Sequence, residues 1–306
     1  MTIAYRSAFE QWDTQAAVRR FSFTFSLAGE VAGTWFPLED CPFASHPAVR
    51  AEGRGPCVQA AALLAYLDFT ITLESECIGP TCRDLALGRI GAGYGGDVIR
   101  DALRIGCDEA FHALLCQELA DHVSRASEVP RPRIAEHHYL RRVRELRART
   151  AGPTPEQFAF CAAVVAETVI TKSLSHDWLN EALRPEVRSF LREHYRDEVR
   201  HTVFFTECLR LAWPQWPARV RTAMAAVWPD LLQAFTGVDL DTAAAAVTAA
   251  GFSPAEARRI AEESCAGGAE SLRRRACYTS AVAALRQAGT GEPTETPVDV
   301  LVEPSR

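Results

Sequence analysis

Residues 194–201 read HYRDEVRH, and His194, Glu198 and His201 stand in it at i, i+4 and i+7. On an α-helix that spacing brings the three side chains to one side, one above the other. The neighbours mark that side as the inward one. Val187, Phe190 and Leu191 before it, and Phe205, Cys208 and Leu209 after it, fall at helical spacing on the same stripe. Burying a carboxylate and two imidazoles without partners costs several kcal/mol. A divalent cation removes that cost, because neutral imidazole and ionised carboxylate are the ligands it takes.

The same chemistry recurs along the chain. Glu74, Glu109, Glu167 and Glu198 each fall on the apolar stripe of a predicted helix. Two of them open a Glu-x-x-His motif, Glu109 with His112 and Glu198 with His201, whose i, i+3 spacing aims carboxylate and imidazole at one point. One Glu from each of two helices, with Glu-x-x-His from each of two others, is the ligand set of a dinuclear carboxylate-bridged bundle. His194 adds a third imidazole. Seven ionisable groups on four apolar stripes have no inexpensive structural explanation. Glu76 lies two residues from Glu74 but would point away by about 160° on a regular helix, so spacing and stripe favour Glu74. An aspartate precedes each Glu-x-x-His motif, and ligand histidines give their second N–H to carboxylates. Asp108 and Asp197 are therefore expected to hold histidines on the facing helix. Glu and His ligands do not separate iron from manganese.

The elements that must carry these groups are helical. Ala is abundant and β-branched runs are few, which favours an all-α fold. Residues 6–27 read as a helix and an apolar turn, and the proline-rich stretch 33–55 as a wrapping loop. A long helix starts near Pro56 and carries Glu74, with Gly79-Pro80 as its expected stop. The glycine-rich residues 91–96 have no preceding strand and no GK[ST], so they read as a hinge rather than a phosphate loop. Asp97 is expected to cap the next helix, whose stripe passes Leu103 and Gly106 to Glu109, His112 and Cys116. Residues 134–149 read as a basic helix with a solvated face bearing His137 and His138. Thr154-Pro155-Glu156-Gln157 forms a capping box for the helix with Glu167. Pro185 opens the helix with 194–201, and residues 213–217 end it. Further helices are expected at 220–235, 241–250 and 254–287. Two helical hairpins joined by a long crossover make the ferritin-like four-helix bundle, here with flanking helices. The resulting divisions are 1–55 (N-terminal helix and wrapping loop), 56–288 (metal-binding bundle with supporting helices) and 289–306 (a disordered tail).

Composition narrows the function. With 306 residues and 48% hydrophobic content the chain can bury a large core, and its net charge of −6 argues against nucleic acid as a partner. The ten cysteines form no CxxC pair, so a reduced, cytoplasmic protein is expected. No run of 18 uncharged apolar residues is found and no membrane span is expected. His46, His122, His137, His138 and His176 are read as structural or surface residues.

The seven residues in their order, Glu74, Glu109 with His112, Glu167, then His194, Glu198 and His201, resemble the di-iron arylamine N-oxygenase family, typified by p-aminobenzoate N-oxygenase. The 35 residues from Glu74 to Glu109, the 27 from Glu167 to His194, the third histidine, and Phe204-Phe205 after the last motif carry the likeness, which spans about 56–213. The resemblance implies two iron ions on those seven residues, O2 as co-substrate, and an amine substrate oxidised to hydroxylamine, nitroso or nitro product in small-molecule biosynthesis. With no flavin or nicotinamide fingerprint in the chain, electrons are expected from a separate reductase or ferredoxin. A homodimer is expected from the resemblance and from general frequency. The competing readings are a C–H hydroxylase, desaturase or oxidative-cleavage enzyme on the same metal site, a ferritin-type metal-binding protein, and a helical interaction protein with a polar core.

Overall fold

The computed structural model describes residues 5–20, 33–265 and 268–290, and these form an all-α protein with one isolated bridge, Thr34 to Leu183, in place of any sheet. Four long helices build the centre. They are α4 (Gly55–Leu73), α6 (Gly96–Ser127), α8 (Pro155–Asp177) and α9 (Pro185–Ala212), preceded by short α1 (Trp12–Gln15), α2 (Ala17–Arg20) and α3 (Pro47–Ala51). A π-helical turn (Glu74–Ile78) continues α4 into α5 (Gly79–Ala86), and α7 (His138–Arg149) lies in the crossover between α6 and α8. The helices α10 (Ala218–Thr236), α11 (Leu240–Ala249), α12 (Pro254–Cys265) and α13 (Gly268–Gln287) pack around this core. Within the bundle α4 pairs with α6 and α8 with α9, the two-hairpin, one-crossover arrangement of ferritin-like folds.

Local sequence explains the ends of these helices. Proline stands in the first turn of α4, α8 and α9, where its missing N–H is not needed. Thr154 and Gln157 close a reciprocal capping box on α8, with N···O distances of 3.0 and 3.2 Å. Small residues on inner faces, Ala60, Ala61, Ala162, Ala163 and Ala166 among them, are buried and let the backbones approach.

Several expectations are corrected. Gly79-Pro80 does not end the Glu74 helix. Pro80 has no N–H to give the carbonyl four residues back and its ring would crowd that carbonyl. The chain widens by one residue instead, and Gly79 N–H reaches the carbonyl of Glu74. The cap of α6 is Gly95, with Asp97 inside the first turn, and Leu103 is exposed, so the inner stripe runs through Ala102 and Ile105. Residues 6–20 hold two short helices rather than one long one; the remainder of that expected element, 21–27, lies outside the described residues. So does the tail from 291 onward. The stretch 33–55 contains α3 and two 3-10 turns. On α7 the basic face is outward, but His137 precedes the helix and is buried, 2.9 Å from Asp68. The spans Gly55–Ala86 and Pro155–Asp177 reach the length and hydropathy of a membrane helix, yet 61% and 72% of their apolar windows are buried within the protein, as core helices are.

A Cβ on Gly79 would stand 2.9 Å from the carbonyl oxygen of Glu74. Gly79→Ala is therefore expected to lower stability by roughly 1–3 kcal/mol, read from urea denaturation, and to disturb Glu74 in the same step. Thr154→Ala, which removes only a cap, should cost about 1 kcal/mol.

Candidate metal centre

Glu74 lies in the π turn, Glu109 and His112 on α6, Glu167 on α8, and His194, Glu198 and His201 on α9. The fold gathers all seven in the bundle core, each no more than 3% exposed. Glu76, by contrast, points to solvent. Their ligand atoms form two sets, Glu74, His112, His194 and Glu198, and Glu109, Glu167, Glu198 and His201, with the atoms of each set within 4.8 Å of one another. Glu198 belongs to both. Its Oε1 lies 3.1 Å from His194 Nε2 and 3.4 Å from Nδ1 of both His112 and His201. Glu109 also spans the sets, with Oε2 3.1 Å from His112 Nδ1 and Oε1 3.0 Å from His201 Nδ1.

The outer face of each Glu-x-x-His histidine meets an aspartate across the α6–α9 contact. Asp197 Oδ2 stands 3.2 Å from His112 Nε2, and Asp108 Oδ2 3.3 Å from His201 Nε2. The aspartates are themselves held. The Trp12 indole N–H donates to both oxygens of Asp108 at 3.0 and 2.9 Å. The backbone N–H of Ala17 donates to Asp197 at 3.1 Å, and Arg200 pairs with it. The N-terminal α1 and α2 thus brace both histidines.

Two metal ions fit this donor set. Eight buried atoms of the cluster have no hydrogen-bond partner among the described residues: Oε1 of Glu74, Glu109 and Glu198, both oxygens of Glu167, both nitrogens of His194, and Nδ1 of His201. Buried polar atoms without partners are rare, and six of the seven cluster residues contribute them. Without cations the cluster shares protons. Burial and the neighbouring carboxylates push Glu74 and Glu167 well up. Against burial, the charge of His201 holds Glu109 down to about 2 and Glu198 well below its usual range. Burial would lower both Glu-x-x-His imidazoles. His112 is instead raised to about 10, chiefly by Asp197 and Glu109, and His201 well up, chiefly by Glu109 and Glu198. His194 is lowered by burial and by His112. Two carboxylates then balance two imidazolium groups. Two divalent cations would restore the same neutrality against four carboxylates, with all three imidazoles neutral.

An aromatic chamber of about 320 Å³ is walled by Tyr66 and Phe69 of α4, Ile170 and Asp177 of α8, Tyr139, and Phe235 of α10. It shares α8 with the metal cluster, and none of the seven cluster residues lines it. Burial raises both tyrosines, and the charges of Glu74 at Tyr139 and Glu198 at Tyr66 add to the rise. The Tyr139 hydroxyl has no partner among the described residues. His137, paired with Asp68, is on its wall. Sequence reading missed the chamber, because its residues come from separate helices and only their meeting makes a cavity.

Residues 27–289 match the family profile described as P-aminobenzoate N-oxygenase AurF. The match extends beyond the 56–213 stretch that carries the resemblance by eye, and takes in the C-terminal helices that wall the chamber. Comparison with curated proteins gives no match.

Because burial and neighbouring carboxylates favour the protonated forms of Glu74 and Glu167, and carboxylate partners those of His112 and His201, loading with ferrous iron should release protons and weaken as pH falls. Calorimetry in buffers of different ionisation enthalpy reads this release. Replacing either histidine-bound aspartate, Asp108→Asn or Asp197→Asn, should weaken metal affinity by roughly 10–100-fold, measured by competition with a chelator.

Proposed function

The chain belongs to the p-aminobenzoate N-oxygenase AurF family, and on that basis we propose that it is a di-iron oxygenase that inserts oxygen from O2 into the nitrogen of an arylamine. The observation that carries this reading is the burial of seven carboxylate and imidazole side chains whose ligand atoms fall into two sets that share Glu198. Glu74, Glu109, Glu167 and Glu198 would supply the negative charge and the bridging oxygens, and His112, His194 and His201 the neutral donors. Two iron ions held there supply the redox chemistry that activates O2 with electrons from outside the chain.

The protein's own part is placement and exclusion. Asp108 and Asp197 fix the tautomer and tilt of His201 and His112, so that Nδ1 of each faces inward. Trp12 and Ala17 keep those aspartates from turning away. In the chamber, Tyr66, Phe69, Tyr139 and Phe235 would offer an aryl ring apolar walls. The Tyr139 hydroxyl and the His137–Asp68 pair are available to orient polar groups of the substrate. The product would be a hydroxylamine, or on repeated oxidation a nitroso or nitro compound, in the biosynthesis of a small molecule. Reduced cysteines agree with a cytoplasmic setting.

The test has two readings. Protein purified from iron-supplemented cells should hold about two irons per chain, measured by metal analysis. Given O2 and a reductant, it should convert p-aminobenzoate-type arylamines to N-oxygenated products and leave amine-free analogues unchanged, followed by mass spectrometry. Oxidation of the amine-free analogues instead would move the assignment to C–H chemistry on the same site. Failure to hold iron would overturn the oxygenase reading itself.

A further inference from the structure

A shallow groove of about 320 Å³ opens where α8 turns into α9, lined by Trp178, Leu179, Glu181, Pro185, Arg188 and Arg192. Arg188 and Arg192 stand one turn apart on the outer face of α9. Arg196 continues the row, and the exposed Val199 and Val203 follow it. Arg188 has no ion-pair partner among the described residues. The buried carboxylate of Glu193 is divided among three guanidinium groups, pairing with Arg20 and Arg196 and lying 3.4 Å from Arg192. Glu181 is the acid among the groove-lining residues. The row therefore keeps positive charge, on a chain whose net charge is −6.

The floor of this groove leads to the metal centre. Trp178 stacks on Tyr195 with ring centroids 6.2 Å apart and planes 26° from parallel. Tyr195 directly follows His194. A second route starts at Ser189, also on the groove wall, beside Phe190, whose ring lies 5.7 Å from that of His194. Along the helix axis Ser189 and His194 are roughly 8 Å apart, a short distance for electron tunnelling through protein. The Trp178 indole N–H is buried with no acceptor among the described residues.

We propose that this groove is the docking surface for an acidic one-electron carrier protein of the iron–sulfur class, and that Trp178, Tyr195 and Phe190 lie between its cluster and the metal centre. The inference rests on the oxygenase reading, which needs an external electron source. Each encounter oxidises one carrier cluster by one electron. Two encounters supply the two electrons that, with two protons, convert O2 and an amine R–NH2 into R–NHOH and water. Charge complementarity selects the partner: a cationic row with apolar residues beside it attracts an acidic surface over a distance and seats it on contact.

The probe is a plant-type [2Fe–2S] ferredoxin offered to the iron-loaded full-length protein. The charge-reversed double variant Arg188→Glu with Arg192→Glu should bind it at least about tenfold more weakly at low ionic strength, by titration calorimetry, and should lose most of the salt dependence of binding. Electron transfer from the reduced ferredoxin should slow by a similar factor in stopped-flow, while reduction by photochemically generated deazaflavin radical stays at the wild-type rate. The double variant Arg188→Lys with Arg192→Lys should retain binding and rate. Equal ferredoxin affinity in wild-type and charge-reversed protein, or no binding to either, overturns the proposal. If the protein holds no iron, or deazaflavin fails to reduce it, the oxygenase reading fails separately, and the binding comparison still decides whether the groove receives an acidic partner.

Discussion

Four carboxylates and three imidazoles share one small volume in the bundle core, away from water, and much of the architecture follows from keeping that volume neutral. In a medium of low polarity a single uncompensated charge costs more than most packing interactions contribute. Proton sharing meets the requirement when no cation is bound, with Glu109 and Glu198 ionised against His112 and His201. Two divalent cations against four carboxylates meet it again. The cluster can therefore fold first and exchange protons for metal afterwards. That sequence suits a site whose ligands are all buried, with none exposed to begin capture from solution.

Neutrality alone does not hold the histidines at fixed angles. Each Glu-x-x-His motif is supported from the opposite helix by the aspartate of the other, so α6 and α9 brace one another through a reciprocal pair of contacts. The N-terminal residues close the outside of the arrangement. Phe9 stacks against His201, Trp12 holds Asp108 and Ala17 holds Asp197. A segment that reads as a peripheral appendage is in this way joined to the centre through two hydrogen-bonded aspartates. The C-terminal helices contribute differently, α10 and α11 forming walls of the aromatic chamber together with α4 and α8.

How far this was legible in the sequence depends on whether the signal was local. The seven cluster residues could be named because each sits at helical spacing from apolar neighbours, and two repeat the same four-residue motif. The capping box at Thr154 and the proline starts of α4, α8 and α9 are equally local. Gly79-Pro80 misled because the same dipeptide ends a helix or widens it, and the outcome depends on whether packing holds the chain in place beyond it. Leu103 misled because one residue shifts the stripe by 100°, and two turns of drift are enough to change face. His137 looked like part of a solvated basic run, and only the approach of Asp68 from another helix buries it. The chamber had no local signal, since its walls come from segments far apart in sequence.

The two halves of the cluster are not equivalent, and the departures from regularity fall on one side. Glu74, His112, His194 and Glu198 offer two imidazoles and two carboxylates, whereas Glu109, Glu167, Glu198 and His201 offer one imidazole and three carboxylates. The extra histidine, His194, lies 3.6 Å from Glu74, the residue that opens the π turn. Single π turns inside helices recur at functional sites. A cation in the imidazole-rich half would carry less compensating negative charge than its neighbour, and so would remain the more electrophilic of the two.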